Sequence, residues 1–375
     1  MTNRPALPRI GMVGGGQLAR MTHQAAVSLG LSLRVLAESP EDGAALVTGD
    51  VDVGAPDDQS AVLRFAKGCD VVTFDHEHVP TALIQAVEQT ATPVRPGSSA
   101  LLYAQDKLAQ RRRLTELGIA VPEFAPVTTI ADVSAFAETH GWPVVLKAVR
   151  GGYDGRGVWM LSEPPTSLPE VDLYVEQRVS LVHELAIQVA RRPSGEMRTW
   201  PVVETVQQDG ICVETIAPAP RLSPALATDA ERLARQLAEE LDVTGCLAVE
   251  LFEAPGGLVV NELAMRPHNS GHWTIEGAVT SQFEQHLRAV ADWPLGDTSA
   301  QAPVTVMVNF LGAEHTDLVT GLPAALEAVP EAHVHLYGKA PRPGRKLGHV
   351  TVLGHDVAET RQRAQLAVAA LRGES

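Results

Sequence analysis

A short apolar run, Arg9–Val13, ends on three consecutive glycines, Gly14-Gly15-Gly16, and passes directly into a helical pattern over residues 17–29. Few folds satisfy that order. A buried strand that stops on glycine and turns into a helix opens a βαβ unit, whose next strand lies parallel to the first. The alternation then repeats. Residues 31–37, 69–74 and 92–95 read as further strands, and residues 59–67 and 81–90 as the helices between them. The first hundred residues are expected to form a Rossmann-like parallel sheet covered by helices.

The pattern changes after residue 98. Residues 98–117 read as one helical region, and a helix over 131–139 leads into a strand over 143–148. Strands are expected over 173–178, 184–192, 199–207 and 211–215, and a long amphipathic helix over 228–241. Two more strands, 245–253 and 258–263, flank a turn that carries Pro255-Gly256-Gly257. After Asp297 the composition shifts, and Pro303 opens a smaller region of several short strands. The reading is a mixed α/β chain in three parts: an N-terminal α/β domain over 1–105, a central domain over 106–297 and a small β-rich C-terminal domain over 298–375.

Charge narrows the partners. The chain has 375 residues, 45% hydrophobic, with a formal net charge of −15. That field repels a nucleic-acid backbone, and no basic tract offsets it. Arg111-Arg112-Arg113 sits among helix formers and reads as a solvated helix face. Cys69, Cys212 and Cys246 show neither metal spacing nor a disulfide framework. The N-terminal stretch lacks the apolar core of a signal peptide, and no run is long enough to span a bilayer. A cytoplasmic protein that binds neither membrane nor nucleic acid is expected.

Several groups of residues carry chemistry. Gly14, Gly16 and Ala19 fit a G-x-G-x-x-A anion site at a helix N-terminus, which a dehydrogenase would fit equally well. Asp75-His76-Glu77-His78 ends a strand; Asp75 and Glu77 are expected on one face as substrate contacts, and a zinc site there lacks a third ligand. Lys147 lies in the apolar strand Val144–Ala148, where its charge calls for a partner such as a phosphate. The next loop, Gly151-Gly152-Tyr153-Asp154-Gly155-Arg156-Gly157, has four glycines in seven residues, so its backbone N–H groups can cup anionic oxygens. Glu176 and Gln177 end one strand and Glu184 begins another, where they either accept from an adenine or ribose or form a solvated edge. Glu250 and Glu262 are expected at or near one cross-strand position of a hairpin. Facing carboxylates repel, and a divalent cation such as Mg²⁺ removes the conflict. Asn261 precedes Glu262, and Arg266 and His268 follow on the exit loop.

Together these features resemble the ATP-grasp superfamily, and within it the branch that carboxylates a ribonucleotide in purine biosynthesis. The resemblance rests on residues 14–21, on the loop 151–157 with Trp159, and on Asn261-Glu262-Leu263-Ala264-Met265-Arg266-Pro267-His268-Asn269-Ser270-Gly271-His272-Trp273. Ser281-Gln282-Phe283-Glu284-Gln285-His286 and Arg345-Lys346-Leu347-Gly348-His349 carry it further. It implies a central ATP-grasp domain, usually in a homodimer. The implied reaction joins bicarbonate to the amine of 5-aminoimidazole ribonucleotide while ATP becomes ADP and phosphate, through carboxyphosphate. By position, Lys107, Lys147, Gly152, Tyr153, Asp154, Gly155, Arg156, Gly157, Glu176, Gln177, Val179, Glu184, Gln207, Asn261 and Glu262 would contact ATP. Glu250 and Glu262 would hold Mg²⁺. Gln17, Leu18, Asp75, Glu77, Tyr153, Arg156, Arg345 and Lys346 would contact the ribonucleotide, and Asp154, Arg266, His268 and Lys346 would serve the carboxylation itself. Lys107 stands where an arginine is common, and Gln207 where a histidine is frequent. Other ATP-grasp ligases, a nicotinamide-dependent dehydrogenase and a non-catalytic nucleotide sensor are the competing readings.

Overall fold

The structure, a computed structural model, describes residues 7–152, 155–313 and 316–374. Three sheets organise them. The first is parallel, in the order β3-β2-β1-β4, from β1 (Arg9–Val13), β2 (Ser32–Ala37), β3 (Val51–Val53) and β4 (Val71–Phe74). Helices α1 (Gln17–Leu29), α2 (Gln59–Ala66) and α3 (Thr81–Glu88) provide its crossovers. The strand expected over 92–95 reduces to one bridge between Val72 and Val94. Pro93 and Pro96 flank that bridge, and neither has an N–H to extend a ladder. The short β3 was not foreseen.

The helical region over 98–117 is two helices, α4 (Ser98–Gln105) and α5 (Lys107–Glu116). They break at Asp106, whose extended backbone ends one helix while its carboxylate accepts from Ala109 N at 2.8 Å to start the next. A small antiparallel sheet follows, in the order β5-β8-β6-β7, from β5 (Phe124–Val127), β6 (Val144–Ala148), β7 (Val158–Leu161) and β8 (Leu173–Gln177). Helix α6 (Ile130–His140) covers it, started by a capping box between Thr129 and Asp132.

The large antiparallel sheet runs β14-β13-β9-β11-β12-β15-β17-β16, with β10 (Met197–Thr199) beside β9 (His183–Arg191). The single strand expected over 199–207 is split into β10 and β11 (Val203–Gln208) by Trp200-Pro201, because the Trp200 ring is fully buried and its indole N–H donates to Thr280 O at 3.0 Å. Next come β12 (Ile211–Ala217), helix α7 (Pro224–Glu240), and the hairpin of β13 (Gly245–Ala254) and β14 (Gly257–Ala264). The ladder closes at Ala254–Gly257, so the turn proper is Pro255-Gly256. The chain leaves β14 through α8 (Thr274–Gly277) and α9 (Gln282–Val290).

The C-terminal segment is less β-rich than expected. Between β15 (Val304–Leu311), β16 (His333–Leu336) and β17 (Lys346–Gly354) lies α10 (Leu318–Ala328), and α11 (Val357–Arg372) follows. Helix α11 packs on β15 and β17 and α10 packs on α11, burying Ala325, Ala364, Val368 and Leu371. The strands form no sheet of their own: β15 pairs with β12 and extends the large sheet. One core runs from Val13 and Phe74 of the first sheet to Ile187, Val249 and Leu263 of the large one, with Leu101 of α4 between. The N-terminal domain is thus held against the large sheet by continuous burial, which contributes roughly 25 cal/mol per Å².

Candidate active site

The β13–β14 hairpin places its carboxylates by register. Glu250 pairs directly with Glu262. Immediately beside them the register shifts, with Leu251 opposite Val260, so Asn261 is the extra residue of a β-bulge. Strict alternation would turn Asn261 or Glu262 into the core. The bulge instead lets Val260 and Leu263 both pack inward while Asn261 and Glu262 face the cleft. Asn261 donates to Glu250 at 3.5 Å and accepts from Lys147 Nζ at 3.5 Å.

Electrostatics at this pair are unbalanced. Burial, then Glu262 and Glu184, push Glu250 up to about 7. Burial works on Glu262 too, but the Lys107 ammonium, which is ion-paired to it, holds its carboxyl below the usual range. Two carboxylates at one cross-strand position, one of them inclined to keep a proton, fit a divalent cation that restores the balance. Glu250 and Glu262 keep 28% and 40% of their side-chain surface open, so phosphate and water oxygens can complete a Mg²⁺ shell. Among the described residues no group of three or more His, Cys, Asp or Glu could hold a metal. His76 and His78 stack at 5.5 Å without converging with a third ligand.

A second charge cluster adjoins the first. Lys147 on β6 faces Tyr174 on β8 in register, and Glu176 lies two residues further on the same face. Glu176 is 2% exposed and pairs with both Lys147 and Arg111, the guanidinium of Arg111 donating at 3.0 and 3.2 Å. Burial would raise Glu176, yet Lys147 and Arg111 outweigh it and keep the carboxyl low. Burial, with help from Arg111 and Lys107, pulls Lys147 down despite Glu176. Of the two alternatives for Glu176, the solvated edge gives way to a buried ion-pair hub. The solvated-face reading of the arginine cluster fails for Arg111, which is 1% exposed; only Arg112 is fully on the surface. The sequence held one clue: Arg111 follows Lys107 by one helical turn and therefore shares its face.

The N-terminal domain closes the cleft from the other side. Strand β4 ends at Phe74, so the expected alternation over 75–78 does not apply. Asp75 is buried and accepts from Gly16 N at 2.7 Å, which pins the glycine turn before α1. Glu77 receives the Arg266 guanidinium at 2.7 and 3.3 Å. Burial opposes ionisation of Glu77, but Arg266 outweighs it and holds the carboxyl at about 2. Arg266, on the exit of β14, is therefore aimed by a residue 189 positions away. His268 stands 3.5 Å from Glu250; burial, Arg266 and Lys346 push its imidazole down to about 3, so it is neutral.

Family comparisons follow the same division. A family model for the ribonucleotide synthetase preATP-grasp domain matches residues 7–105, one for the ATP-grasp domain matches 112–283, and one for the phosphoribosylaminoimidazole carboxylase C-terminal domain matches 305–363. N5-carboxyaminoimidazole ribonucleotide synthase of Mycobacterium tuberculosis is 55% identical over 372 residues, covering 96% of this chain and 87% of that one. The chain belongs to the N5-carboxyaminoimidazole ribonucleotide synthase family. The Corynebacterium ammoniagenes synthase is 48% identical, covering 97% and 92% of the two chains. The Aspergillus clavatus synthase, solved in complex with ADP and 5-aminoimidazole ribonucleotide, superposes with a TM-score of 0.89 at 32% identity, covering 97% and 98%.

Other residues expected in the site of this synthase-family chain fall into place unevenly. Glu184 accepts from the Gln207 amide, and burial raises its pKa. Gln177 ends β8 and is exposed, and Val179, two residues beyond the strand, is half-buried. Gly155 lies against the β11–β12 turn, Gly152 lies beside Arg156 and Lys107, and Gly157 packs on Ala148. Gly155 has φ +76°, and a Cβ there would also stand 3.1 Å from Asp209 O, so a side chain is disfavoured. Tyr153 and Asp154 lie outside the described residues. Gln17 accepts from Lys339, whereas the Leu18 side chain is packed with Met21, Phe283 and Tyr337, leaving only its backbone for a ligand. Lys346 opens β17, and its charge acts on both Glu250 and His268. Arg345 donates to Ala340 O at 3.2 Å in the preceding loop.

Proposed function

We propose that this chain uses ATP to carboxylate 5-aminoimidazole ribonucleotide, with bicarbonate as the carbon source and carboxyphosphate as the activated form. It is an ATP-dependent ligase of purine biosynthesis. The observation that carries the reading is the paired Glu250–Glu262 station with Arg266 and His268 on the exit of the same strand. This joins a seat for a metal–phosphate complex to a cation and a neutral imidazole suited to a carbonate-derived anion.

ATP-grasp residues Lys107 and Lys147 are placed to offset charge on the transferring phosphoryl group, each exchanging its present carboxylate for phosphate oxygens. Glu250 and Glu262 would hold Mg²⁺, which supplies Lewis-acid polarisation of those oxygens. Arg266, kept charged and oriented by Glu77, receives the carboxylate of bicarbonate. His268 and Lys346 flank the carboxylation centre. Asp154 is assigned to accept the proton that the amine loses, and Tyr153 and Arg156 to hold the ribonucleotide with Gln17, Asp75 and Arg345. The proposal includes a homodimer working in the cytoplasm; among the described residues no helix is long and apolar enough to cross a membrane.

The test is phosphate release from ATP and Mg²⁺ in four mixtures: no addition, bicarbonate, 5-aminoimidazole ribonucleotide, and both. Strong stimulation with both together is expected. Release that ignores the ribonucleotide, or hydride transfer with a nicotinamide, would overturn the reading.

A further inference from the structure

Helix α9 begins Ser281-Gln282-Phe283-Glu284-Gln285-His286, and its inward face is unusually polar. Gln282, Gln285 and His286 are each 0% exposed. Each is fully used. Gln285 exchanges two hydrogen bonds with the backbone of Gly296, at 2.8 and 2.9 Å. His286 accepts from Cys246 N at 3.1 Å through Nδ1, so its Nε2–H donates to Thr73 Oγ1 of β4 at 2.8 Å. Buried polar groups are satisfied in this way or they cost stability. Two of the three side chains therefore locate α9 against the large sheet, the linker and the N-terminal domain.

Gln282 reaches the exit loop of β14. Its Oε1 accepts from His268 N at 2.9 Å, and its Nε2 donates to His268 O at 2.7 Å. The same Nε2 lies 3.0 Å from His272 Nδ1. Because Oε1 already accepts from a backbone N–H, the amide orientation is settled and Nε2 is the donor to His272. Gly271 is pressed against this amide so closely that a Cβ there would lie 2.4 Å from Oε1. His268 is thus gripped at both main-chain groups by one side chain. Ser270 Oγ, 2.8 Å from His268 Nδ1, sets the ring.

We propose that Gln282 is a positioning residue for carboxylation: by holding the His268 backbone and the His272 ring it fixes where the His268 imidazole stands beside Glu250. The inference rests on the role given to His268 above. Gln282 touches no reacting atom and acts only through His268. Through His286 on the same helix, that position is also referred to the N-terminal domain, which supplies Glu77 to Arg266.

The test compares the Gln282→Met enzyme with the unaltered enzyme in steady-state assays that vary bicarbonate and ATP separately. Bicarbonate KM is expected to rise about tenfold, while ATP KM stays within about twofold, as expected when one substrate's contact is misplaced and the other's is kept. Uncoupled phosphate release, without ribonucleotide, should form a larger share of turnover. A merely structural role would lower kcat in step with Tm and leave the two KM values unsplit, and that result overturns the proposal. If Gln282→Met does not fold, His272→Phe, which removes only the third bond, decides the matter: a bicarbonate KM raised about threefold supports the proposal, and an unchanged one ends it. Should the unaltered enzyme itself show no stimulation by bicarbonate and ribonucleotide, the functional reading fails first and independently.

Discussion

Glu176 and the Glu250–Glu262 pair sit on either side of Lys147 and meet the problem of a buried anion in opposite ways. Glu176 is sealed, with two cations already in contact. Glu250 and Glu262 are open to the cleft, Lys107 is ion-paired to Glu262, and Glu250 keeps a raised pKa. The sealed cluster is complete without a ligand. The open pair is not, and we propose that a divalent cation completes it. Lys147 touches Glu176 and reaches Asn261 of the bulge, so it can pass from the complete cluster toward phosphate oxygens without leaving an uncompensated charge: Arg111 stays behind on Glu176. Structural charge and working charge are thus separated by a few ångströms and by whether solvent reaches them.

The largest effect is expected at the open pair. Glu262→Gln should lower ATP-dependent phosphate release about a thousandfold while changing the urea midpoint little, because it removes a ligand and relieves repulsion at once. A comparable loss of folding stability would show that the pair is structural after all.

Arg111→Met probes the sealed cluster. Removing Arg111 strips two charge-assisted hydrogen bonds from the buried Glu176 and leaves it Lys147 alone, which costs about 1.5–3 kcal/mol in urea unfolding. A loss under about 1 kcal/mol would erase the contrast between the two stations.

Glu77 sharpens it from the N-terminal side. Its folded carboxyl is held at about 2, well below the ordinary value near 4.5, so its contribution is present above pH 4.5 and is lost as pH falls from there toward 2. The full effect is on the order of 3 kcal/mol. Glu77→Gln should flatten the dependence of unfolding free energy on pH in that window; an unchanged slope would dissociate Glu77 from Arg266.

The smallest effect is a proton count. Glu250 shifts the other way, so its folded carboxyl holds a proton up to about pH 7 and the apo protein loses stability as pH rises from about 4.5 through 7. Cation binding near pH 6 should release up to about one proton, read by calorimetry in buffers of different ionisation enthalpy. No release would mean that the cation binds elsewhere.

How much of this was legible in the chain follows the same divide. Glu250 and Glu262 were readable because a short turn fixes their register, and local geometry needs no distant partner. The bulge at Asn261 was not, since it follows from the inward packing of both Val260 and Leu263. Arg111 was misread because its partner is far away in sequence, and three consecutive arginines resemble a solvated face until Glu176 arrives from 65 residues on. The pairing of Glu77 with Arg266, 189 positions apart, was equally out of reach, as was the task of Gln282, whose motif was noticed. Trp200-Pro201 broke a strand, and Asp106 a helix, through local chemistry that was present but outweighed by the longer pattern. In the C-terminal segment the strand signals were clear, whereas α10 carries Pro323 inside it, which obscured the helix.

The most direct test of a cleft built to activate bicarbonate on the γ-phosphate follows an oxygen atom. In a single turnover with freshly dissolved ¹⁸O-bicarbonate, 5-aminoimidazole ribonucleotide and Mg·ATP, the bicarbonate oxygen that attacks phosphorus stays on it when the carboxyphosphate C–O bond breaks. Phosphate carrying one ¹⁸O per molecule is the expected result; phosphate that takes its new oxygen from water would contradict it.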